Sequence, residues 1–251
     1  MDNIAYIALS RQSTLQKQMD VVANNIANMD TAGFKVEQML LNTQTGAPAK
    51  DDEVKGPAQF SMAGGLARDF SEGELSETGR ATDVAIDGNG FFTVSTPQGN
   101  RYTKDGRFGI DSTGRLVTSG GHPVLDDSGG EITLDPSNGA PQISADGVVS
   151  QRTKQGPTST RVGKIGVVHF DALGVLQKEG DNLYSNTSNA QPTPAPDVKL
   201  RQGMVESSNV KPIIEITNLI QVQRAYERIS SMIQQTNDLS QSSIDRLAKV
   251  A

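Results

Sequence analysis

Residues 15–29, LQKQMDVVANNIANM, carry the pattern that decides the architecture of one end of this chain. An apolar or small-residue stripe runs through them and the residues before them, and it consists of Ile4, Ala8, Leu15, Met19, Val22, Ile26 and Met29. From Leu15 the steps alternate between four and three residues, which predicts a helix with a narrow seam that packs against another helix. Asp2 or Asn3 can cap its start, and Gly33 is placed for a left-handed stop after its end.

The opposite end of the chain repeats this pattern over a greater length. The stripe there consists of Leu219, Val222, Tyr226, Ile229, Ile233, Thr236, Ser240, Ser243, Leu247 and Val250. Asn209 can cap this second helix, and Pro212 is tolerated in its first turn because the missing N–H would have no intrahelical partner there. Arg224 and Glu227 are three residues apart and can pair on its surface.

Glycine and proline divide the 251 residues into three parts. All 25 glycines lie between Gly33 and Gly203, and all 11 prolines lie between Pro48 and Pro212. Both terminal segments therefore lack helix breakers, whereas the centre is rich in turns. Their narrow seams and amide-rich opposite faces favour helices that pack against partners in an assembly. The alternative is that they are ordinary helices packed on their own domain.

The terminal seams carry few large apolar side chains for their length. Such seams do not offset the conformational entropy lost in ordering two long helices, so we expect the ends to be frayed in the free chain and ordered in an assembly. The first helix runs toward the centre and the second runs away from it. If both connectors leave the same side of the central domain, the two helices pair antiparallel.

The periodicity changes to two from Ala81 onward. Val84 and Ile86 alternate with aspartates, and turn signals such as Asp105-Gly106 separate short apolar runs, which predicts an antiparallel β domain. The fold class is therefore α+β, with long N- and C-terminal helices that pair as an antiparallel coiled coil. The predicted segments are an N-terminal helix over 1–35, an extended connector over 36–80, a β-rich outer domain over 81–186, a proline-containing connector over 187–205 and a C-terminal helix over 206–251.

The composition excludes several functional classes. Without cysteine, the chain holds no disulfide scaffold, thiolate nucleophile or cysteine-ligated metal. Its formal net charge of −6 and its lack of a basic stripe argue against nucleic-acid binding. His122 and His169 have no ligand-spaced carboxylates nearby, and no phosphate-binding or dinucleotide-binding motif occurs. We expect no enzymatic activity, no metal and no cofactor.

The N-terminus lacks the marks of a cleaved secretory signal. Met1-Asp2-Asn3 carries no positive charge, and the apolar stretch Ile4–Leu9 is short and followed by Arg11. No run approaches the roughly 18–20 apolar residues of a membrane span. The sequence therefore predicts no transmembrane segment.

Specific strings at both ends resemble a known family. ANNIAN at residues 23–28, followed by TAGFK at 31–35, is similar to the N-terminal signature of the flagellar rod, hook and hook-associated axial proteins. SSNV at 207–210 and QRAYE at 223–227 are similar to the family's C-terminal signature. The central part of the sequence also resembles the β domain of this family, at residues 83–86, 90–92, 102–103, 105–106 and 108. The resemblance covers essentially the full length.

The resemblance implies a structural subunit of the bacterial flagellar basal-body rod. Such proteins leave the cell through the flagellar type III export apparatus without a cleaved signal peptide. They assemble with copies of themselves and with other rod subunits into a helical drive shaft that spans the periplasm and passes motor torque to the hook. Their terminal helices form an inner coiled-coil layer, and the β domain packs outside it.

The seams and the resemblance together nominate residues for assembly. In the N-terminal segment they are Ile4, Leu15, Met19, Val22, Asn24, Asn25, Ile26, Asn28, Gly33 and Phe34. In the C-terminal segment they are Asn209, Leu219, Val222, Arg224, Tyr226, Glu227, Ile229, Ile233 and Leu247. The family resemblance gives the three N-terminal asparagines the task of bonding to neighbouring subunits or ending the helix. It gives Gly33 a turn that would be strained with a Cβ.

Two further choices stay open at this point. The length suits either the proximal or the distal rod protein, and residues 1–3 and 208–212 look more like the proximal one. Outside the family, the rival is a secreted, β-rich, adhesin-like protein. That rival would need a carboxylate or aromatic groove, for which the sequence shows no motif.

Overall fold

The chain, described here by a computed structural model over residues 2–45, 59–153, 159–188, 191–195 and 198–250, divides into two units. Unit 1 comprises Met1–Ala27, Val36–Asp69 and Val210–Ala251, and unit 2 comprises Asn28–Lys35 and Phe70–Asn209. The architecture is α+β, as predicted from the change of periodicity. Both long helices belong to unit 1, and short antiparallel strands make up most of unit 2.

Unit 1 is built from two helices and one hairpin. Its elements are α1 (Asp2–Ala27), β1 (Glu37–Thr45), β2 (Gln59–Arg68) and α2 (Pro212–Val250). The strands pair antiparallel from Glu37 opposite Arg68, with a register shift between Leu40 and Leu41. Helix α1 contacts α2 and both strands. The absence of glycine and proline from residues 1–32 and 213–251 accounts for two uninterrupted helices.

The hairpin of unit 1 differs from the extended connector expected over 36–80. Residues 37–45 and 59–68 form paired strands. Their sequences hide the pairing because Leu40 and Leu41 are adjacent and break the period of two at the register shift. The connecting residues also lack the short Asn-Gly or Asp-Gly turn that signals a hairpin.

Unit 2 consists of short strands. They are β3 (Leu75–Glu77), β4 (Val84–Asp87), β5 (Phe91–Thr96), β6 (Gly99–Thr103), β7 (Gly109–Ile110), β8 (Leu116–Val117), β9 (Pro141–Ile143), β10 (Val148–Arg152), β11 (Ser159–Lys164), β12 (Val167–His169), β13 (Leu176–Lys178), β14 (Tyr184–Asn186), β15 (Thr193–Pro194), β16 (Lys199–Gln202) and β17 (Met204–Glu206). The 3-10 turn Leu173–Val175 precedes β13.

The strands of unit 2 form one larger sheet and several small ones. The six-stranded sheet has the order β13-β14-β6-β5-β12-β15, and a three-stranded sheet has the order β11-β10-β9. Strand pairs β16–β4, β17–β3 and β7–β8 complete the described set. All of these pairings are antiparallel. Alternate residues of β5, Phe92 and Val94, meet Phe108, which directly precedes β7, in one buried apolar cluster.

The segment boundaries differ from the expected ones at three places. Helix α1 ends at Ala27, and residues 28–35 belong to unit 2. The segment expected to be a connector over 187–205 contains strands β15, β16 and the start of β17. Helix α2 starts at Pro212, six residues later than expected, and residues 204–206 pair with β3.

Candidate functional site

The predicted seams lie on the less exposed sides of α1 and α2. Among the nominated residues of unit 1, Leu15, Val22, Asn25 and Val222 are buried. The half-buried ones are Met19, Ile26, Leu219, Tyr226, Ile229 and Ile233. Asn24, Arg224 and Glu227 are exposed, and the side chains of Ile4 and Leu247 fall outside the described part of the structure. Helices α1 and α2 contact each other within one chain.

Asn25 links three elements of unit 1. Its side chain is 1% exposed, and its amide nitrogen donates to the carbonyl of Glu37 at 2.8 Å and to Glu215 Oε2 at 2.9 Å. Its amide oxygen accepts from the backbone N–H of Glu37 at 3.0 Å. Both donor positions and the acceptor are therefore used within the chain. The bonds fasten the end of α1 to the start of β1 and to the first turn of α2.

The two carboxylates beside Asn25 are held differently. Arg68 Nε donates to Glu37 Oε1 at 2.7 Å, which neutralises this buried carboxylate. Asn24 also reaches Glu37 Oε2, at 3.5 Å. Glu215 lies in the first turn of α2, where a negative charge interacts favourably with the helix dipole, and it accepts from Asn218 at 3.3 Å. This group, the Asn25 clasp (Asn25, Glu37, Arg68 and Glu215), is a polar fastening inside unit 1.

The second half of the N-terminal motif lies in unit 2. Gly33 has φ +68°, a backbone conformation that strains any residue with a Cβ. A Cβ there would also lie 2.5 Å from the backbone carbonyl carbon of Lys104, which is a steric clash. The N–H of Gly33 donates to the carbonyl of Glu206 at 2.7 Å. Phe34 is buried, with the Lys178 ammonium 4.1 Å from its ring centroid.

A buried ion cluster follows directly after Phe34. The Lys35 ammonium contacts Glu206 Oε1 at 2.5 Å, and the Lys104 ammonium approaches Glu206 Oε2 at 3.3 Å. All three side chains are at most 2% exposed. The N–H of Gly73 also donates to Glu206 Oε1, at 2.9 Å. A carboxylate with this many donors is a structural anchor for the segment that leads out of α1.

The remaining nominated asparagines bond locally. Asn28 accepts from Thr31 through both its carbonyl and its side-chain oxygen, at 3.1 and 3.2 Å, which turns the chain after α1. The Asn209 side-chain amide donates to Ser71, and its N–H donates to the carbonyl of Phe34. Glu227 accepts from Gln223 at 3.3 Å. Among the described side chains, Arg224 forms no ion pair with Glu227.

The described residues of these sites form apolar contacts, hydrogen bonds and ion pairs within the chain. Within them, no cluster of three or more histidine, aspartate or glutamate side chains could hold a metal ion. A polar groove of about 350 Å³ runs beside the Asn25 clasp, and its walls include Gln18, Gln38, Asn218 and Gln221. In the part of the chain that is described, no helix is both long enough and apolar enough to cross a membrane.

Comparison with known proteins relates this arrangement to one family. Residues 6–35 match the model for flagella basal body rod proteins, and residues 201–246 match that for the C-terminal region of flagellar basal body rod FlgEFG proteins. Residues 85–151 match the flagellar hook protein FlgE/F/G D1 domain. The flagellar basal-body rod protein FlgF of Caulobacter vibrioides is 49% identical over 100% of both chains. The chain belongs to the flagellar basal-body rod protein family.

Two further relatives place the chain within the flagellar rod family. FlgF of Mesorhizobium japonicum is 38% identical over 98% of both chains. FlgG of Buchnera aphidicola subspecies Baizongia pistaciae is 36% identical over 94% of this chain and 96% of its own. The predicted family resemblance is thus confirmed over the full length, and the first of these three relatives supports the predicted likeness to FlgF.

The two terminal family matches include some residues of the Asn25 clasp and some residues of the buried ion cluster. Asn25 and Lys35 lie in the N-terminal match, and Glu206 and Glu215 lie in the C-terminal one. Sequence reasoning named Asn25 but missed its partners Glu37 and Glu215, and it missed the cluster of Lys35, Lys104 and Glu206. One signal was available, because Glu215 is a lone carboxylate among isoleucines in the first turn of α2.

Proposed function

We propose that this chain is a structural subunit of the flagellar basal-body rod, of the proximal type, and that it polymerises into the helical shaft that passes motor torque to the hook. The observation that carries the proposal is the full-length 49% identity to a rod protein named FlgF. The lower identity of 36% to the FlgG relative makes the distal rod type the second choice. Nothing in the comparisons favours an adhesin.

In this proposal, α1 and α2 form an antiparallel coiled coil in the inner layer of the rod. Two observations support the pairing. Asn25 near the end of α1 bonds to Glu215 at the start of α2. Val22 and Gln18 lie about one and two turns before Asn25 in α1, and Val222 lies about two turns after Glu215 in α2. All three residues line the same groove. Contacts that move backward along α1 while they move forward along α2 are those of antiparallel helices.

Unit 2 then supplies the outer layer. Its strands enclose their own apolar cluster, so it can be carried outside the helices without help from a neighbour. The subunit acts by packing and has no catalytic role, no cofactor and no nucleic-acid partner. It reaches the periplasmic part of the basal body through the flagellar type III export apparatus, and there it joins other rod subunits.

Complementation in Caulobacter tests this function and the seams together. The chain is expressed in one strain that lacks FlgF and in another that lacks FlgG, and swimming and the rod content of isolated basal bodies are measured. We expect rescue of the strain that lacks FlgF. Tyr226→Asp and Ile26→Asp place a charge in the half-buried seam, and each should abolish rescue at normal protein levels.

Gln234→Asp is the matched control for these two variants, because Gln234 is an exposed residue of α2. It should swim normally. Rescue of neither strain by the unmodified chain would contradict the rod function, and rescue of the strain that lacks FlgG alone would make the chain a distal rod subunit. Normal swimming by both seam variants would overturn the seam assignment.

A further inference from the structure

The buried ion cluster of unit 2 holds more positive than negative groups. It contains the ammonium groups of Lys35 and Lys104 and the single carboxylate of Glu206. These side chains are at most 2% exposed, so solvent screens them little. Desolvation of a charge is costly unless an opposite charge lies beside it. The cluster therefore has a formal excess of one positive charge in a place where such an excess is unfavourable.

Lys104 is the member of this cluster with the weaker bonds. Its ammonium approaches Glu206 Oε2 at 3.3 Å and the carbonyl of Gly88 at 3.4 Å, both long for a charged donor. The Lys35 ammonium, by comparison, donates to Glu206 Oε1 and to the carbonyl of Ser71 at 2.5 Å each. An ammonium group has three donors. Among the described residues, the third donor of Lys104 has no acceptor.

A pocket of about 120 Å³ lies beside this ammonium group, and we call it the Lys104 pocket. Lys104 forms part of its wall, and its apolar wall consists of Phe70, Phe91, Phe170 and Leu173. Phe91 meets Phe70 and Phe170 edge to face, with ring centroids 5.7 and 5.8 Å apart. The Lys104 ammonium is 5.7 Å from the centroid of Phe91. A buried positive charge thus lies next to aromatic walls that hold one another in place.

The volume and the lining of the Lys104 pocket limit what it can hold. Liquid water takes up about 30 Å³ per molecule, so the pocket has room for roughly four to six non-hydrogen atoms. A carboxylate would supply the missing acceptor of Lys104 and balance the excess charge. A short aliphatic tail would gain from leaving water for the aromatic wall. Sulfate and phosphate carry the charge but have no apolar part.

We propose that the Lys104 pocket binds a short aliphatic carboxylate of the size of propionate, with its carboxylate on the Lys104 ammonium and its carbon atoms against the phenylalanine rings. The site lies wholly within unit 2 and does not depend on the rod function proposed above. Asp171 also lines the pocket, but its side chain is 91% exposed and lies 3.7 Å from the ring of His169, so solvent screens its repulsion. A glutamate side chain ends in the same group as propionate, so the carboxylate comes either from a free acid or from a protein.

Titration of the full chain with propionate tests the site. Backbone amide shifts are followed by NMR at constant ionic strength, and we expect saturable changes at Asn89, Lys104 and Phe170. The dissociation constant should be millimolar, because so small a ligand makes few contacts. Propionamide has a similar shape without the charge, and it should bind at least about tenfold more weakly. Sulfate, which lacks the apolar tail, should also bind at least about tenfold more weakly.

Two results of this titration would overturn the proposal. Propionamide that binds as tightly as propionate would show that the Lys104 charge has no part in binding. Sulfate that binds as tightly would show a general attraction of anions without use of the aromatic wall.

Substitutions locate the binding in the pocket. Lys104→Met removes the excess charge and leaves the Lys35–Glu206 pair, so the chain should fold and bind propionate at least about tenfold more weakly. Lys199→Met is the matched control, because Lys199 is an exposed cation of unit 2 outside the pocket wall. It should bind propionate as the unmodified chain does. Leu173→Trp fills the pocket while Lys104 stays in place, and it should abolish binding. Unchanged affinity in whichever of the two pocket variants folds would contradict the proposal.

N-acetylglutamate α-amide distinguishes the two sources of the carboxylate, because it carries the propionate group on a peptide backbone. Affinity equal to that of propionate would assign the pocket to a glutamate of another protein. Binding that is at least about tenfold weaker would assign it to a free acid, since the backbone then does not fit at the mouth. Both results support a carboxylate site at Lys104, and the absence of saturable shifts with either ligand overturns it.

Discussion

The two units of this chain hold their residues in place by different means. Unit 2 encloses a continuous apolar cluster that includes Phe92, Phe108 and Leu134, each at most 1% exposed. The buried apolar side chains described in unit 1 are small or widely spaced, and they are Ala8, Leu15, Val22, Val210 and Val222. Beside them, unit 1 relies on the polar Asn25 clasp. Unit 2 thus encloses its own apolar core, whereas unit 1 leaves large apolar side chains such as Ile213 and Leu239 exposed.

This contrast predicts very different protection against hydrogen exchange in the dilute free chain. Amides of β5 and β6, whose strands bury Phe92 and Val94, should open only with global unfolding of unit 2. Amides of α2 beyond Ile229 should open locally, because that stretch lies far from the clasp and the side chains described there are half-buried or exposed. We expect the amides of residues 230–250 to exchange at least about 1,000-fold faster than those of β5 and β6, as measured by mass spectrometry.

The same measurement in assembled rods is the control for this prediction. Neighbouring subunits should bury the exposed residues, and protection of α2 should approach that of unit 2. Equal protection of both units in the dilute free chain would contradict the contrast, and it would mean that the helices are ordinary packing elements of their own domain.

The substitution Asn25→Leu should have the next largest effect, a loss of stability that is confined to unit 1. The leucine fills a similar volume but leaves the backbone groups of Glu37 and the carboxylate of Glu215 without their partner in a buried place. Each such loss costs about 1–3 kcal/mol, so we expect unit 1 to lose roughly 2–4 kcal/mol of opening free energy. The readout is exchange at the end of α1 and the start of α2, with unit 2 unchanged.

Asn24→Leu is the matched control. Asn24 is the adjacent asparagine of the same motif, but it is exposed and its bond to Glu37 is longer, at 3.5 Å. It should change the opening free energy of unit 1 by less than about 1 kcal/mol. Equal effects of the two substitutions would show that the clasp does not depend on Asn25.

The helices could be predicted from the sequence because their signal is local. Spacing alone placed Leu15, Val22 and Val222 on the less exposed sides of α1 and α2. The change to a period of two around Val84 and Ile86 likewise predicted the strands of unit 2. Each pattern repeats within a few residues, so no knowledge of distant partners is required.

The buried polar contacts of Asn25 and of Lys35 could not be predicted from the sequence, because their partners are distant in the chain. Asn25 and Glu215 are 190 residues apart, and Lys35 and Glu206 are 171 residues apart. No periodicity links such positions, and a buried carboxylate has the same letter in the sequence as an exposed one. For this reason the asparagine motif was assigned to neighbouring subunits or to the helix end, while the structure directs the bonds of Asn25 into unit 1.

The smallest expected effect concerns an ion pair on the surface of unit 2. The hydrogen bond from Arg101 Nε to Glu179, 2.7 Å long, lowers the pKa of this carboxyl below its ordinary value, and Ser185 contributes a second bond. A lowered pKa stabilises the fold above the ordinary range for glutamate. That contribution is lost as the pH falls through the pKa of Glu179 in the folded state.

Arg101→Gln should therefore raise the pKa of Glu179 toward its ordinary value, as followed by NMR titration of the side-chain carboxyl. The overall stability of unit 2 should hardly change, because the Glu179 side chain is 41% exposed and solvent screens the pair. A large loss of stability would mean that unit 2 depends on its surface charges rather than on its apolar cluster. The contrast with unit 1, which depends on a buried polar clasp, would then disappear.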